Sequence, residues 1–457
     1  MSWAETEFGE SDLGDPRRTR RLIKIAEARA ERPSVSLPQC FPTAAELKGA
    51  YEFCENHLID PGDILRGHIQ ATARRVAAVP LALALQDTTE MDYTHHPATT
   101  GLGILNDTQH RGMLVHTTLG VTPQRVPLGL IDQQVIYREA EEFGKRHRRR
   151  QRPISEKESR KWLNSLEATA EIQGQCPQTR IVSVGDREAD IFDLFLASQE
   201  LRQDVLVRAA WNRRVEHPES YLWETLEAQP EAGQRTLTVP RKGKQAARTA
   251  SLSVRHARIT LRPPRWRAQE RLPTVTVFAV LAREEHPPAG IPAIEWLLLS
   301  TVPVTDFDAA CERVEWYACR WMIELYHKVL KSGCRIEERQ FENAEPIERY
   351  LAIDSVVAWR VLGLTFQSRE MPDLSGEAFL EPDEWKALFC YTQRRKTPPP
   401  KPPTLKDAAL WIAKLGGFLG RKRDGPPGIT VMWRGLERLA DITLCWQILN
   451  HDERTVK

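Results

Sequence analysis

Two short apolar runs constrain this chain more than any other feature: LALALQD at 81–87 and RIVSVGD at 180–186, each giving out at an aspartate. Apolar runs of that length bounded by polar residues suit buried strands better than helices. Their surroundings agree. GMLVHTTLGVT and PLGLIDQQVIY follow the first run, and a capped helix from Ser155 through EKESRKWLNSLEATAEI precedes the second. READIFDLFLA then reads as a helix and DVLVRAAWN as a further strand. Three strands, a helix, a strand, a helix and a strand predict a mixed α/β sheet.

In open α/β sheets ligand chemistry gathers at the carboxyl ends of strands, so Asp87 and Asp186 are candidate ligands for a hard cation. Taken singly, each is as readily the cap of the next element, and Glu90, Asp92, Glu188, Asp190 and Asp193 are rivals nearby. A third feature favours the pair. YACRWMIELYHKVLKSG, Tyr317 to Gly333, reads as one helix, and at about 100° per residue Tyr317, Arg320, Glu324 and Lys331 share an arc of about 60°. A solvated face would scatter its charges with i,i+4 partners, whereas one carboxylate among cations and a phenol suits metal and phosphate together. Asp87, Asp186 and Glu324, with no His or Cys cluster, favour Mg²⁺ or Mn²⁺ over zinc. Two such ions about 4 Å apart can activate a hydroxyl on one side of a phosphodiester and stabilise the leaving oxygen on the other.

The rest of the chain frames that sheet. Its 457 residues, 41% hydrophobic and 28% charged, suit a globular protein of several domains. A net charge of only +2 means that nucleic-acid contact must come from local basic patches. One is GDPRRTRRLIKIAEARA, a predicted helix with Asp15 as N-cap, Pro16 at its first position, and Arg17, Arg18, Arg20, Arg21 and Lys24 along it. These arginines read equally as solubilising surface or as contacts to a DNA backbone. A second capped helix is predicted near DPGDILRGHIQATARRVAA. Another patch, GKRHRRRQRP, places Lys145, Arg146, Arg148, Arg149, Arg150 and Arg152 in a loop. From about 215 to 300 the pattern is all β, and the C-terminal third is helical, with KTPPPKPP as a linker. Eight scattered cysteines without a Cys-x-x-Cys pair read as reduced thiols. No stretch approaches the roughly 18 apolar residues of a membrane span, so a cytoplasmic protein is expected.

The spacing Tyr-x2-Arg-x3-Glu-x6-Lys at Tyr317, Arg320, Glu324 and Lys331 resembles the signature of the insertion-sequence-four family of bacterial DDE transposases. DTTEMDY at Asp87, VGDREADIF at Asp186, EWLLLSTVPV around Trp296 and the C-terminal LGGFLGRKRDGPPG resemble further blocks of that family, over nearly the whole chain. The resemblance implies an RNase H-like catalytic core with a β-strand insertion, flanked by helical N- and C-terminal domains. Its expected divisions are a DNA-end-binding head at 1–75, the first part of the core at 76–214 and the insertion at 215–300. The last part of the core follows at 301–365, and a dimerisation domain at 366–457.

The resemblance also implies that Asp87, Asp186 and Glu324 are catalytic and bind two Mg²⁺ ions, with Mn²⁺ as a substitute. The implied reaction is nicking at the element's 3′ end, hairpin formation and opening, and strand transfer into target DNA. Tyr317, Arg320, Lys331 and Arg208 would grip phosphates, and Trp296 would stack on a flipped base; read alone, Trp296 is a core aromatic. His327 and Lys328 would face the DNA or the metal. Arg17, Arg18, Arg20 and Arg21 would lie against double-stranded DNA carrying terminal inverted repeats. The C-terminal helices would pair two copies into a homodimer, with no membrane partner and a cytoplasmic, nucleoid-associated location. Two rivals are a nuclease on the same core and a transposase-derived DNA-binding regulator without cleavage. The four hairpin- and end-handling residues argue against the first, and the three intact carboxylates against the second.

Overall fold

The first apolar run does not stop at its aspartate. In the computed structural model, which describes residues 2–139, 153–239, 248–422 and 424–450, strand β1 spans Leu81–Asp92. It stays paired antiparallel to β3 (Arg111–Val121) as far as Asp92 opposite Gly112. Only its parallel ladder with β5 (Arg180–Gly185) ends early, at Leu85 opposite Val184. Asp87 therefore lies inside a strand, at the end of one ladder, rather than closing the strand as its sequence suggests. The basic run from Lys145 to Arg152 falls outside the described residues.

From β3 the sheet runs through β1, β5, β6 (Asp204–Arg208), β10 (Glu295–Ser300), β9 (Val275–Glu284) and β8 (Arg248–Leu261) to β7 (Gly233–Val239). Strands β2 (Gly103–Ile104) and β4 (Pro127–Ile136) pair with β3 on its other side. Strands β1, β5 and β6 are parallel and the other pairings antiparallel. This mixed sheet between helical ends is consistent with an RNase H-like core. The stretch at 215–300 is not purely β, since it includes the short helix α8 (Leu222–Glu227). Its strands extend the central sheet, because β10 pairs with β6 from Ser300 opposite Leu206 to Leu298 opposite Arg208.

Alternation of side chains along the strands gives the sheet two buried faces. Leu83, Leu85, Val182 and Val184 belong to one core, shared with α10 (Trp321–Lys328) and the 27-residue α11 (Ala344–Glu370). Ala82, Ala84 and Ile181 belong to another, beneath α5 (Pro61–Ala77) and α6 (Arg160–Gln175). The predicted caps of the head are present: Asp15 accepts from the Arg17 amide at 2.8 Å at the start of α2 (Pro16–Glu31), and Asp60 from the Gly62 amide at 2.7 Å before α5. Helix α6 begins at Arg160 instead of Ser155, which falls in a 3₁₀ turn at Ile154–Glu156. The C-terminal segment adds α12 (Pro382–Gln393), α13 (Leu405–Leu415) and α14 (Ile429–Asn450). None of the eight cysteines is in a disulfide, and among the described residues no helix is long and apolar enough to cross a membrane.

Candidate active site

Extending the β1–β5 register by two residues sets Asp87 opposite Asp186, on the face that carries Leu85 and Val184. Both side chains thus project towards α10. Asp186 follows β5 directly and accepts from the Glu188 amide at 2.8 Å, so it is also the cap its sequence position allowed. Burial is the main cause that raises the Asp87 carboxyl from 3.8 to about 6. Arg320 opposes that rise, while the negative charges of Asp186 and Glu324 add to it. Asp87 is therefore close enough to both of the other acids to feel their charge.

Glu324 reaches the sheet on a helix that is not the continuous one predicted from Tyr317 to Gly333. Helix α9 (Phe307–Ala318) ends in tighter i→i+3 hydrogen bonds, Arg320 N–H to Tyr317 O at 3.0 Å and Met322 N–H to Cys319 O at 2.9 Å. Helix α10 then runs to Lys328 and passes into a π-helical turn at Val329–Gly333. The single face is therefore divided. Tyr317 is 5% exposed and its ring meets that of Trp296 edge-on, with centroids 5.0 Å apart. Arg320, Glu324 and Lys331 instead line β1.

The Arg320 guanidinium bridges the acids. Its Nη1 is 3.5 Å from Asp87 Oδ2 and its Nη2 donates to Glu324 Oε1. Lys331 Nζ pairs with Glu337 Oε1 at 2.9 Å and donates to Glu90 O at 2.8 Å. His327 Nδ1 lies 4.0 Å from Asp87 Oδ2, and its buried Nε2 has no partner among the described residues. Burial, then Lys331 and Arg320, push the His327 imidazole down to about 3, which keeps it neutral. Lys328 faces solvent. Arg208, at the end of β6, donates to Glu295 O at 2.7 Å beside Trp296. Among the described residues no three acidic, His or Cys side chains stand close enough to clasp a metal ion as they are.

Away from the sheet, α2 buries Leu22, Ile25, Ala26 and Arg29 and exposes Arg17, Arg20, Arg21 and Lys24. Spacings of three, four and seven from Arg17 place them on one basic stripe. Arg18 is turned aside, donating to Leu13 O at 2.9 Å. Arg29, which sequence reasoning passed over, is fully buried against Asp354 of α11, with Nε to Oδ1 at 3.0 Å and Nη2 to Oδ2 at 3.1 Å. A signal for it was present, since Asp354 is the lone acid in the apolar run YLAIDSVVAW.

Comparison with known families finds matches at both ends of this arrangement. Residues 1–59 match the family model described as transposase DNA-binding, and residues 356–445 match that of the transposase Tn5 dimerisation domain. The first covers the part of the head before α5, including the basic stripe. The second begins inside α11 and takes in α12, α13 and most of α14. Together they support a transposase of the Tn5 type, a DNA-binding protein that pairs with a second copy of itself.

Proposed function

We propose that the protein is a DDE transposase of the insertion-sequence-four type, cutting an element from DNA at its terminal inverted repeats and joining it to target DNA. The observation that carries this reading is the gathering of Asp87, Asp186 and Glu324 on one face of the sheet. Those carboxylates would hold two Mg²⁺ ions, with Mn²⁺ able to replace them. The all-oxygen donor set and the mutual repulsion felt at Asp87 fit hard divalent cations. Bound there, the ions supply activation of the attacking hydroxyl and stabilisation of the leaving oxygen.

The chain's own groups orient the DNA. Arg320, Lys331 and Arg208 offer charge-assisted hydrogen bonds to phosphates around the cut. Trp296 offers a ring for an unpaired base once Tyr317 yields its edge contact. The order of events is a nick that frees a 3′ hydroxyl, its attack on the opposite strand to close a hairpin, opening of the hairpin, and strand transfer. Arg17, Arg20 and Arg21 would lie along the backbone of the repeat, in a homodimer bringing two ends together in the cytoplasm.

The test is cleavage of a labelled duplex bearing the element's terminal repeat with Mg²⁺, resolved on a denaturing gel. Expected are hairpin and double-strand-break products that vanish in Glu324→Ala and stall around the hairpin in Trp296→Ala. Binding without cutting by the intact protein, in Mg²⁺ or Mn²⁺, would make it a transposase-derived DNA-binding regulator instead.

A further inference from the structure

We propose that Arg320 takes the place of the divalent cations in the DNA-free protein, and that a DNA phosphate must draw it away before Asp87 and Glu324 can receive metal. The inference rests on the reading of the three carboxylates as the metal site.

One guanidinium touches two of the three acids: Nη1 lies 3.5 Å from Asp87 Oδ2, and Nη2 is bonded to Glu324 Oε1. Among the described residues Arg320 is the sole ion-pair partner of Glu324, and the other partner of Asp87 is the neutral His327. A guanidinium and a divalent ion cannot share these oxygens. They compete for the same lone pairs, and they repel each other at short range in a partly buried site.

Lys331 is a poor alternative, because Glu337 and the Glu90 carbonyl already hold it away from the acids. Arg320 is also placed to leave. It occupies the junction between α9 and α10, its side chain is 18% exposed, and that of Glu324 is 34% exposed. Its planar fork matches two phosphate oxygens as well as it matches two carboxylates. A phosphate arriving beside the acids therefore gives the guanidinium an equivalent anion and exposes the oxygens it covered. Binding becomes ordered, DNA first and metal second, so the free protein binds divalent cations weakly.

The experiment is Mn²⁺ titration of the full chain followed by electron paramagnetic resonance, with and without the terminal-repeat duplex, in the wild type, Arg320→Gln, Arg320→Lys and the double variant Asp87→Asn/Arg320→Gln. Without DNA, Arg320→Gln should bind Mn²⁺ about tenfold more tightly than the wild type or Arg320→Lys. The duplex should bring the wild type to a similar affinity, and the double variant should lose the gain. Thermal melts check that each variant is folded. If Arg320→Gln binds no more tightly than the wild type without DNA, while the wild type binds Mn²⁺ with DNA, the stand-in role is wrong and the metal site survives. If no protein binds Mn²⁺ even with DNA, the metal reading fails and the stand-in role falls with it.

Discussion

Arg29 and Arg320 each hold a carboxylate from another element, yet their surroundings differ in what governs motion. Arg29 and Asp354 are both 0% exposed. The Arg29 guanidinium also donates to the carbonyls of Arg32 at 3.1 Å, Val35 at 2.8 Å, Pro33, and Cys334 at 3.4 Å. Among the described residues Arg320 has only its two acids, at a site that solvent partly reaches. A buried charge with every donor satisfied is fixed in place, because moving it would strand a partner in a medium that cannot solvate it. A pair that solvent partly reaches carries a smaller penalty. The same residue types therefore serve as a weld between head and core in one place and as an exchangeable contact in the other.

The largest test of this contrast removes the weld. Asp354→Ala should destabilise the fold by about 3–5 kcal/mol in denaturant unfolding, since it leaves Arg29 charged and unpaired inside the protein. A loss below about 1 kcal/mol, the range of exposed ion pairs, would erase the distinction.

The opposite sign is expected at the candidate site. The raised Asp87 carboxyl binds its proton more tightly in the folded state than in the unfolded one. Stability is therefore present below its ordinary value of 3.8 and is lost as pH rises to about 6. Asp87→Asn should accordingly stabilise the metal-free protein near pH 8 by up to about 3 kcal/mol, with the gain shrinking towards about pH 4. An Asp87→Asn protein less stable than the wild type near pH 8 would mean that Arg320 more than offsets the crowding of the acids.

The smallest effect concerns an arginine with neither kind of partner. Arg20 is exposed on α2 and makes no ion pair or hydrogen bond among the described residues. Arg20→Ala should lower the slope of log affinity against log salt for terminal-repeat DNA by about 0.9, the share of one phosphate contact. Arg17→Ala should change it less, because Arg17 is already paired with Asp15 at 2.8 Å. Equal slopes for all three proteins would take the stripe off the DNA.

The sheet and the capped helices of the head were legible in the sequence because their causes are local: apolar runs of strand length, and Asp-Pro at a helix start. The length of β1 was not. Apart from Met91, Thr88 to Asp92 is polar, and it stays extended because β3 pairs with it, a cause some 25 residues away in the chain. The break between α9 and α10 was also hidden, since neither Gly nor Pro marks it. Asp87, Asp186 and Glu324, singled out in the sequence, lie near one another in the fold, but the bridging by Arg320 depends on a helix phase set by that break. The partnership of Arg29 with Asp354 spans 325 positions, and only the isolated acid in an apolar helix pointed to it.

Helix α11 has a mechanical consequence. Its 27 residues make an unjointed shaft about 40 Å long. Along it, Arg349 donates to the Ile59 and Cys54 carbonyls of the head, Asp354 holds Arg29, and Ser355 donates to Gln133 of β4 at 3.0 Å. The segment matching the dimerisation domain begins two residues after Asp354. A pull exerted by a second copy on that segment enters a rod with no hinge, so the grip on the head and the floor of the central sheet carry the same load.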